Sequence, residues 1–314
     1  MKIVFMGTPE FAVPSLDILV KNGYDIAAVV TAQDNYGGRG GKQLIQSAVK
    51  QYAVAQNLPV LQPEKLRAPE FVEKLASLQA DIFIVVAFRM LPEIVWNMPR
   101  SGTFNLHGSL LPKYRGAAPI NHAIMQGETV TGVTSFRLSH EIDTGDILLK
   151  AELPITPDDT AGTLHDKMKE LGAQVILRTV KTLESGNYVF IPQDDMEATP
   201  APKIFHHTCQ VDFNRPVQQV YDFVRGLSPY PAAWCIMDDI EVKIINASYL
   251  MCEDQLLPGA ISTDRKKYLH IKCQGGYLVL ESIKPAGKRI LTIQEYLNGH
   301  KTTTEMITFK EVMK

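Results

Sequence analysis

The chain has 314 residues, 45% of them hydrophobic and 21% charged, with a formal net charge of −2 at neutral pH. That length allows two domains, each with its own core, and the composition is that of a globular protein. The near-neutral balance excludes a global basic field for nucleic acid, and no stretch reaches the ~18 apolar residues of a membrane span.

The opening run, Lys2-Ile3-Val4-Phe5-Met6, ends in Gly7-Thr8-Pro9, and an amphipathic stretch over 11–21 follows, closed by Asn22-Gly23. This order predicts a strand, a tight turn, a helix and its C-terminal cap. The run is too short for the apolar region of a signal peptide, so the expected location is the cytoplasm. Gly7-Thr8-Pro9 lacks both the GxGxxG and the Walker pattern, which predicts a turn in a cleft wall and not a phosphate loop. Residues 26–30 and 81–86 (DIFIVV) predict further buried strands, with helices over 42–56 and 69–78 between them. Alternating strands and helices predict an α/β fold, a doubly wound, mostly parallel, Rossmann-like sheet. In such sheets ligands collect outside the carboxyl ends of the strands.

Residues 31–42, TAQDNYGGRGGK, surround Arg39 with glycines and place Lys42 close behind. A flexible linker reads like this, and so does a loop that moves onto a polyanion. The residues alone leave both readings open.

Residues 103–119, TFNLHGSLLPKYRGAAP, carry an amide (Asn105) and an imidazole (His107) two positions apart where an apolar segment stops. On a strand, residues two apart face the same way. The run of Gly, Ser, Pro, Lys, Tyr and Arg that follows reads as a loop, either a functional one held on a scaffold or an ordinary turn with local hydrogen bonds. Residues 132–138 and 146–153 alternate and predict an antiparallel pair. Between them Asp143-Thr144-Gly145 occurs once, whereas an aspartic protease needs two such carboxylates. No HExxH or GxSxG is present, so zinc-protease and hydrolase-elbow chemistry have no anchor. A helix is predicted over 161–183, with Asp158-Asp159-Thr160 as cap.

Three prolines between 191 and 203 mark a linker, and His206-His207 at its end has no partner at ligand spacing. After Thr208, one helix over 216–226 precedes five short strands, at 234–237, 241–249, 260–262, 268–273 and 277–283, which predict a small OB-like β-barrel. A last helix is predicted near 292–297. The four cysteines (209, 235, 252 and 273) form no CxxC pair. They predict reduced thiols and no metal.

Asn105-Leu106-His107-Gly108-Ser109-Leu110-Leu111-Pro112, then Tyr114-Arg115-Gly116, Pro119-Ile120 and Asp143-Thr144-Gly145-Asp146, resemble the signature of the folate-dependent formyltransferases. The likeness runs end to end, through the opening IVFMGTPEFA, the loop ending GRGGK, SPYPAAW and KPAGKR. It is greatest to members that act on initiator tRNA. The resemblance implies a catalytic domain over 1–189, a linker over 190–207 and a tRNA-binding barrel over 208–314. It implies transfer of a formyl group from 10-formyltetrahydrofolate, as co-substrate, to the α-amino group of methionine esterified to initiator tRNA.

By the same resemblance Asn105, His107 and Asp143 are the catalytic residues. An amide suits a developing oxyanion, and an imidazole beside a carboxylate suits proton transfer. The implied folate pocket comprises Val86, Ala87, Phe88, Arg89, Met90 and Leu91, with Ser109, Leu110, Leu111 and Pro112, and His140, Glu141 and Ile142. The start Ala87-Phe88-Arg89 departs from the Ala-Tyr-Gly usual in the tRNA-specific members. Arg39 and Lys42 become tRNA contacts under this likeness, with Lys284, Lys288 and Arg289 in the barrel. The partners implied are initiator Met-tRNA and folate, with no membrane and a monomeric chain. The rivals keep the chemistry on a small amine, an amino sugar or water. A non-catalytic RNA-binding protein is the remaining alternative, against which the intact Asn105, His107 and Asp143 speak.

Overall fold

The computed structural model describes residues 1–37, 43–299 and 303–309. They form two compact units. The first comprises Met1–Gly116, Thr131–Leu153 and His165–Pro200; the second comprises Ala117–Val130, Pro154–Leu164 and Ala201–Lys314.

The first unit is built on a seven-stranded sheet. From edge to edge its strands are Ile147–Pro154, Val130–Arg137, Thr103–His107, Ile82–Val86, Lys2–Gly7, Asp25–Val30 and Val60–Leu61. The last five are parallel, and Val130–Arg137 runs antiparallel to Thr103–His107. All five residues of Ile82–Val86 are buried. An uninterrupted apolar, largely β-branched run is what a parallel strand covered on both faces requires. Register aligns Gly7 with Val86, and Val86 with Leu106. Three carboxyl ends therefore finish level, and His107 stands at that rim.

One apolar layer forms from Val4, Met6, Phe83 and Val85 of the sheet with Phe71 and Leu75 of the helix Pro69–Ser77. The 25-residue helix Ala161–Ser185 comes very close to the site strand at Gly172. A Cβ there would lie 2.6 Å from Leu106 Cδ2, so glycine allows this approach without displacing the Leu106 side chain. Thr179 Oγ1 donates to Ser135 Oγ at 2.8 Å on the neighbouring strand.

The helix expected over 42–56 is shorter than the pattern implied. Gln43–Ile45 is a strand paired antiparallel with Asn35–Gly37, and the helix is Ala48–Ala55. Ser47, in extended backbone, accepts a hydrogen bond from Lys50 N and starts the helix, as an N-cap does. A three-residue strand is too short for its period to show in sequence. The edge strand Val60–Leu61, two residues long, went unread for the same reason.

In the second unit the short alternating segments form an antiparallel sheet ordered Ala233–Met237, Ile240–Met251, Gly276–Pro285, Leu269–Cys273 and Ile261–Thr263, with Leu291–Thr292 beside Gly276–Pro285. The helix Val217–Leu227 packs Val217, Val220, Val224 and Leu227 into its core with Val242, Ile244, Ile271 and Leu278. Arg225 is buried, yet its charge is met. Its Nε donates to Asp222 Oδ1 at 2.7 Å, and its Nη1 donates to the carbonyls of Thr156 and Asp159. Such saturation is what a buried ion pair requires.

The hairpin turn at Asp238-Asp239 has both residues at positive φ, +51° and +60°, as a tight two-residue turn demands. Asp238 Oδ1 accepts from the backbone and hydroxyl of both Thr303 and Thr304, at 2.8 to 2.9 Å. Burial alone would raise its pKa, but these hydrogen bonds outweigh it and hold the carboxyl at about 2. An unfolded aspartate titrates near ~3.9. The lowered group therefore adds stability above that pH and loses it as the pH falls toward 2. Thermal unfolding of wild type and Asp238→Asn should differ most above pH ~4 and converge below it; a constant difference down to acid would contradict this assignment.

Candidate functional site

His107 is 6% exposed and sits at the end of its strand. Its Nε2 lies 2.8 Å from Tyr114 O. A carbonyl oxygen only accepts, so Nε2 carries a hydrogen and donates it. The proton that His107 gains or loses is therefore the one on Nδ1. That atom faces Asp143 Oδ2 at 3.7 Å, and the same oxygen accepts from Gly116 N at 2.9 Å. Tyr114 and Asp143 both hold left-handed backbone, φ +61° and +57°. Residues other than glycine adopt it where surrounding structure imposes it, often at functional sites.

Asn105 lies within the strand, paired with Val85 on one side and Phe136 on the other. Its side chain is half-buried and two positions from His107, hence on the same face. The hydrogen bonds that tie down His107 and Asp143 leave its amide out. The structure thus brings His107 and Asp143 together and sets Asn105 on the strand face of His107.

The loop between them is fixed from inside. Thr134 Oγ1 donates to Ser109 O and accepts from Leu111 N, and Ser109 Oγ donates to Lys113 O at 2.6 Å. Ser109, Leu111 and Pro112 are buried, and Leu110 is partly so. Two side chains with no signal in the sequence pattern hold this loop and the loop of Asp143. Tyr114 N donates to Thr199 Oγ1 at 2.9 Å. Gln193 Nε2 donates to the carbonyls of Asp143 and Gly145, both at 2.8 Å.

A hollow of about 490 Å³ opens past the carboxyl end of Ile82–Val86. Of the residues read as the folate pocket, Arg89, Met90, Leu91 and His140 line it. Val86 is wholly buried in the sheet, Phe88 packs into the apolar layer below, and Ala87, Glu141 and Ile142 are exposed outside the lining. The opposite wall, Glu64, Lys65, Leu66 and Arg67, was not anticipated. Arg89 brings it in by donating to the carbonyls of Pro63 and Glu64. An arginine fork donating to two carbonyls leaves no trace in the sequence pattern. Trp96 meets His140 edge-on at 5.3 Å along the same hollow.

Arg39 and Lys42 lie outside the described residues. Lys284 and Lys288 are exposed on the second unit. Arg289 there is paired with Glu295 at 2.7 Å.

Residues 1–180 match the formyl transferase family, and residues 203–301 match the formyl transferase C-terminal domain. The chain belongs to the formyl transferase family. Among relatives of this formyl transferase, the methionyl-tRNA formyltransferase of Parabacteroides distasonis is 52% identical over 315 residues, covering 97% of both chains. That of Flavobacterium johnsoniae is 44% identical, covering 100% of this chain and 98% of its own. The fold is shared with an N-formyltransferase from Helicobacter canadensis solved with folinic acid and dTDP-3-aminofucose, at a TM-score of 0.69 and 20% identity over 89% of this chain and 98% of that one. It is also shared with a methionyl-tRNA formyltransferase from Clostridium thermocellum, at 0.56 and 17% over 79% and 93%. Within this formyl transferase, the hollow and the His107–Asp143 pair occupy the carboxyl-end rim where open α/β sheets take their ligands.

Proposed function

We propose that the chain transfers the formyl group of 10-formyltetrahydrofolate to the α-amino group of methionine carried by initiator tRNA. The chemistry rests on one observation: His107 presents only Nδ1 for proton exchange, 3.7 Å from Asp143 Oδ2. The choice of acceptor is supported by the near full-length identity with methionyl-tRNA formyltransferases.

The hollow suits a folate. Leu66, Met90, Leu91, Pro92 and Trp96 give apolar walls for a flat ring, while Lys65, Arg67 and Arg89 outnumber Glu64 and Glu93 and leave positive charge for an anionic tail. When bound, the folate supplies the formyl carbon. Asn105 donates its amide hydrogens to the formyl oxygen as charge gathers there. As the amine bonds to the formyl carbon it sheds a proton, which His107 takes at Nδ1 while Asp143 holds the imidazolium; His107 then returns that proton to the folate nitrogen as its bond to the formyl carbon breaks. No side-chain nucleophile is needed, because the substrate brings its amine. Ser109, buried and donating to Lys113 O, stays structural.

In this reading residues 1–189 carry catalysis and 208–314 bind tRNA, joined by 190–207. Arg39, Lys42, Lys284 and Lys288 meet phosphates, and the enzyme works as a cytoplasmic monomer. A competition assay tests the choice of acceptor. With Met-tRNA, a nucleotide amine and water offered together, nearly all formyl should appear on Met-tRNA. Transfer mainly to the small amine, or release as formate, would overturn the assignment.

A further inference from the structure

Gln193 stands in a stretch that is otherwise turned to water. Ile191 is 58% exposed and Met196 is 95% exposed, whereas Gln193 is half-buried. All of its amide is engaged. Nε2 gives its two hydrogens to the carbonyls of Asp143 and Gly145. Oε1 accepts from Arg115 Nε at 3.1 Å and Arg115 Nη2 at 2.9 Å. The orientation is unambiguous, since carbonyls cannot donate and a guanidinium cannot accept. Arg115 Nη2 is held in turn by Asp195 Oδ1 at 2.7 Å. The next residue, Gly116, donates its N–H to the Asp143 carboxylate. Arg115-Gly116 therefore grips Asp143 twice, at its side chain directly and at its backbone through Gln193.

The segment that carries Asp143 needs such a grip. Its backbone is left-handed, a conformation that costs energy for a residue with a Cβ, though less for an aspartate than for most. Two residues on, a Cβ at Gly145 would fall 1.7 Å from Arg137 O. The loop is thus seated against a neighbouring strand with no slack on that side. The open side is where Gln193 binds.

We propose that Gln193, oriented by Arg115, is a positioning residue that sets Asp143 against His107 Nδ1. This rests on the reading of His107 and Asp143 as the proton-handling pair. The hydrogen bonds of Gln193 go to Arg115, Asp143 and Gly145 and not to the imidazole, so it acts by fixing where the carboxylate stands. Misplacing a reacting group by about 1 Å can lower a rate ~10²-fold.

The test uses the full chain and a double-mutant cycle. Gln193→Ala removes both arms of the clamp. Gln193→Glu keeps an acceptor for Arg115 but loses both donors to the Asp143 loop. Both should lower kcat about 10- to 100-fold, leave KM for folate and Met-tRNA within about twofold, and equal one another. In an Asp143→Asn background, Gln193→Ala should change kcat by less than about twofold, because the group it positions is already lost. A residue that merely tethers the chain would lower activity equally on both backgrounds. Full penalties on both backgrounds would overturn the proposal, as would a raised KM at unchanged kcat or a Gln193→Glu enzyme as fast as wild type. Should Asp143→Asn alone keep wild-type kcat, the proton-handling reading fails and takes the clamp with it. If Asp143→Asn is slow while the Gln193 variants are fast, only the clamp falls.

Discussion

Asn105→Ala should lower kcat for formyl transfer about 10²- to 10³-fold, the scale on which one oxyanion donor acts. The backbone of Asn105 stays in register between Val85 and Phe136 whatever its side chain, so truncation leaves the ladder intact. The amide is half-buried and takes no part in holding His107 or Asp143. Its loss removes a donor from the reacting oxygen without loosening the proton-handling pair. The penalty belongs in kcat, since the interaction strengthens only as charge develops. Asn105→Asp should be at least as slow, because a carboxylate of the same shape offers no donor and repels the charge. Single-turnover rates with saturating folate and Met-tRNA decide the matter. Near-wild-type rates for Asn105→Ala would remove Asn105 from the mechanism.

How much of this was legible in the sequence depended on the range of the interaction. The parallel sheet was readable because runs such as IFIVV over Ile82–Val86 declare a strand covered on both faces. Asn105 and His107 were readable as a pair because the two-residue period of a strand places them on one face. Asp143 lies 36 positions beyond His107, and in the sequence only the family likeness joins it to them, since no local pattern encodes the 3.7 Å approach. Where a short element or a single side chain decides, the sequence was silent. The hairpin of Asn35–Gly37 with Gln43–Ile45 occupies part of what reads as one long helix. The wall of the hollow at 64–67 is recruited by hydrogen bonds from Arg89 to carbonyls, which every residue type possesses. Gln193 lies among prolines and acids whose composition marks a linker, yet it binds the loop of Asp143.

His107→Ala and Asp143→Ala should each lower kcat about 10²- to 10⁴-fold, the range of a positioned acid–base group, and the double variant should be no slower than the worse single one. Tyr114 O occupies Nε2, so Nδ1 is the one ring atom left for proton exchange, and Asp143 is the carboxylate that faces it. Without Asp143, the cation formed at Nδ1 loses its counter-charge in a site where His107 is 6% exposed. Little water is left there to stabilise it. Without His107, the carboxylate has no imidazolium to hold. Groups that act as one unit give penalties that overlap instead of multiplying. Asp143→Asn refines the comparison, because its side-chain carbonyl can still accept from Gly116 N while the charge is gone. Activity close to that of Asp143→Ala would assign the effect to charge, and activity close to wild type would assign it to the seat of the loop. Multiplying losses in the His107→Ala/Asp143→Ala double variant would mean that the two residues serve separate steps, and the single proton path through Nδ1 would have to be abandoned.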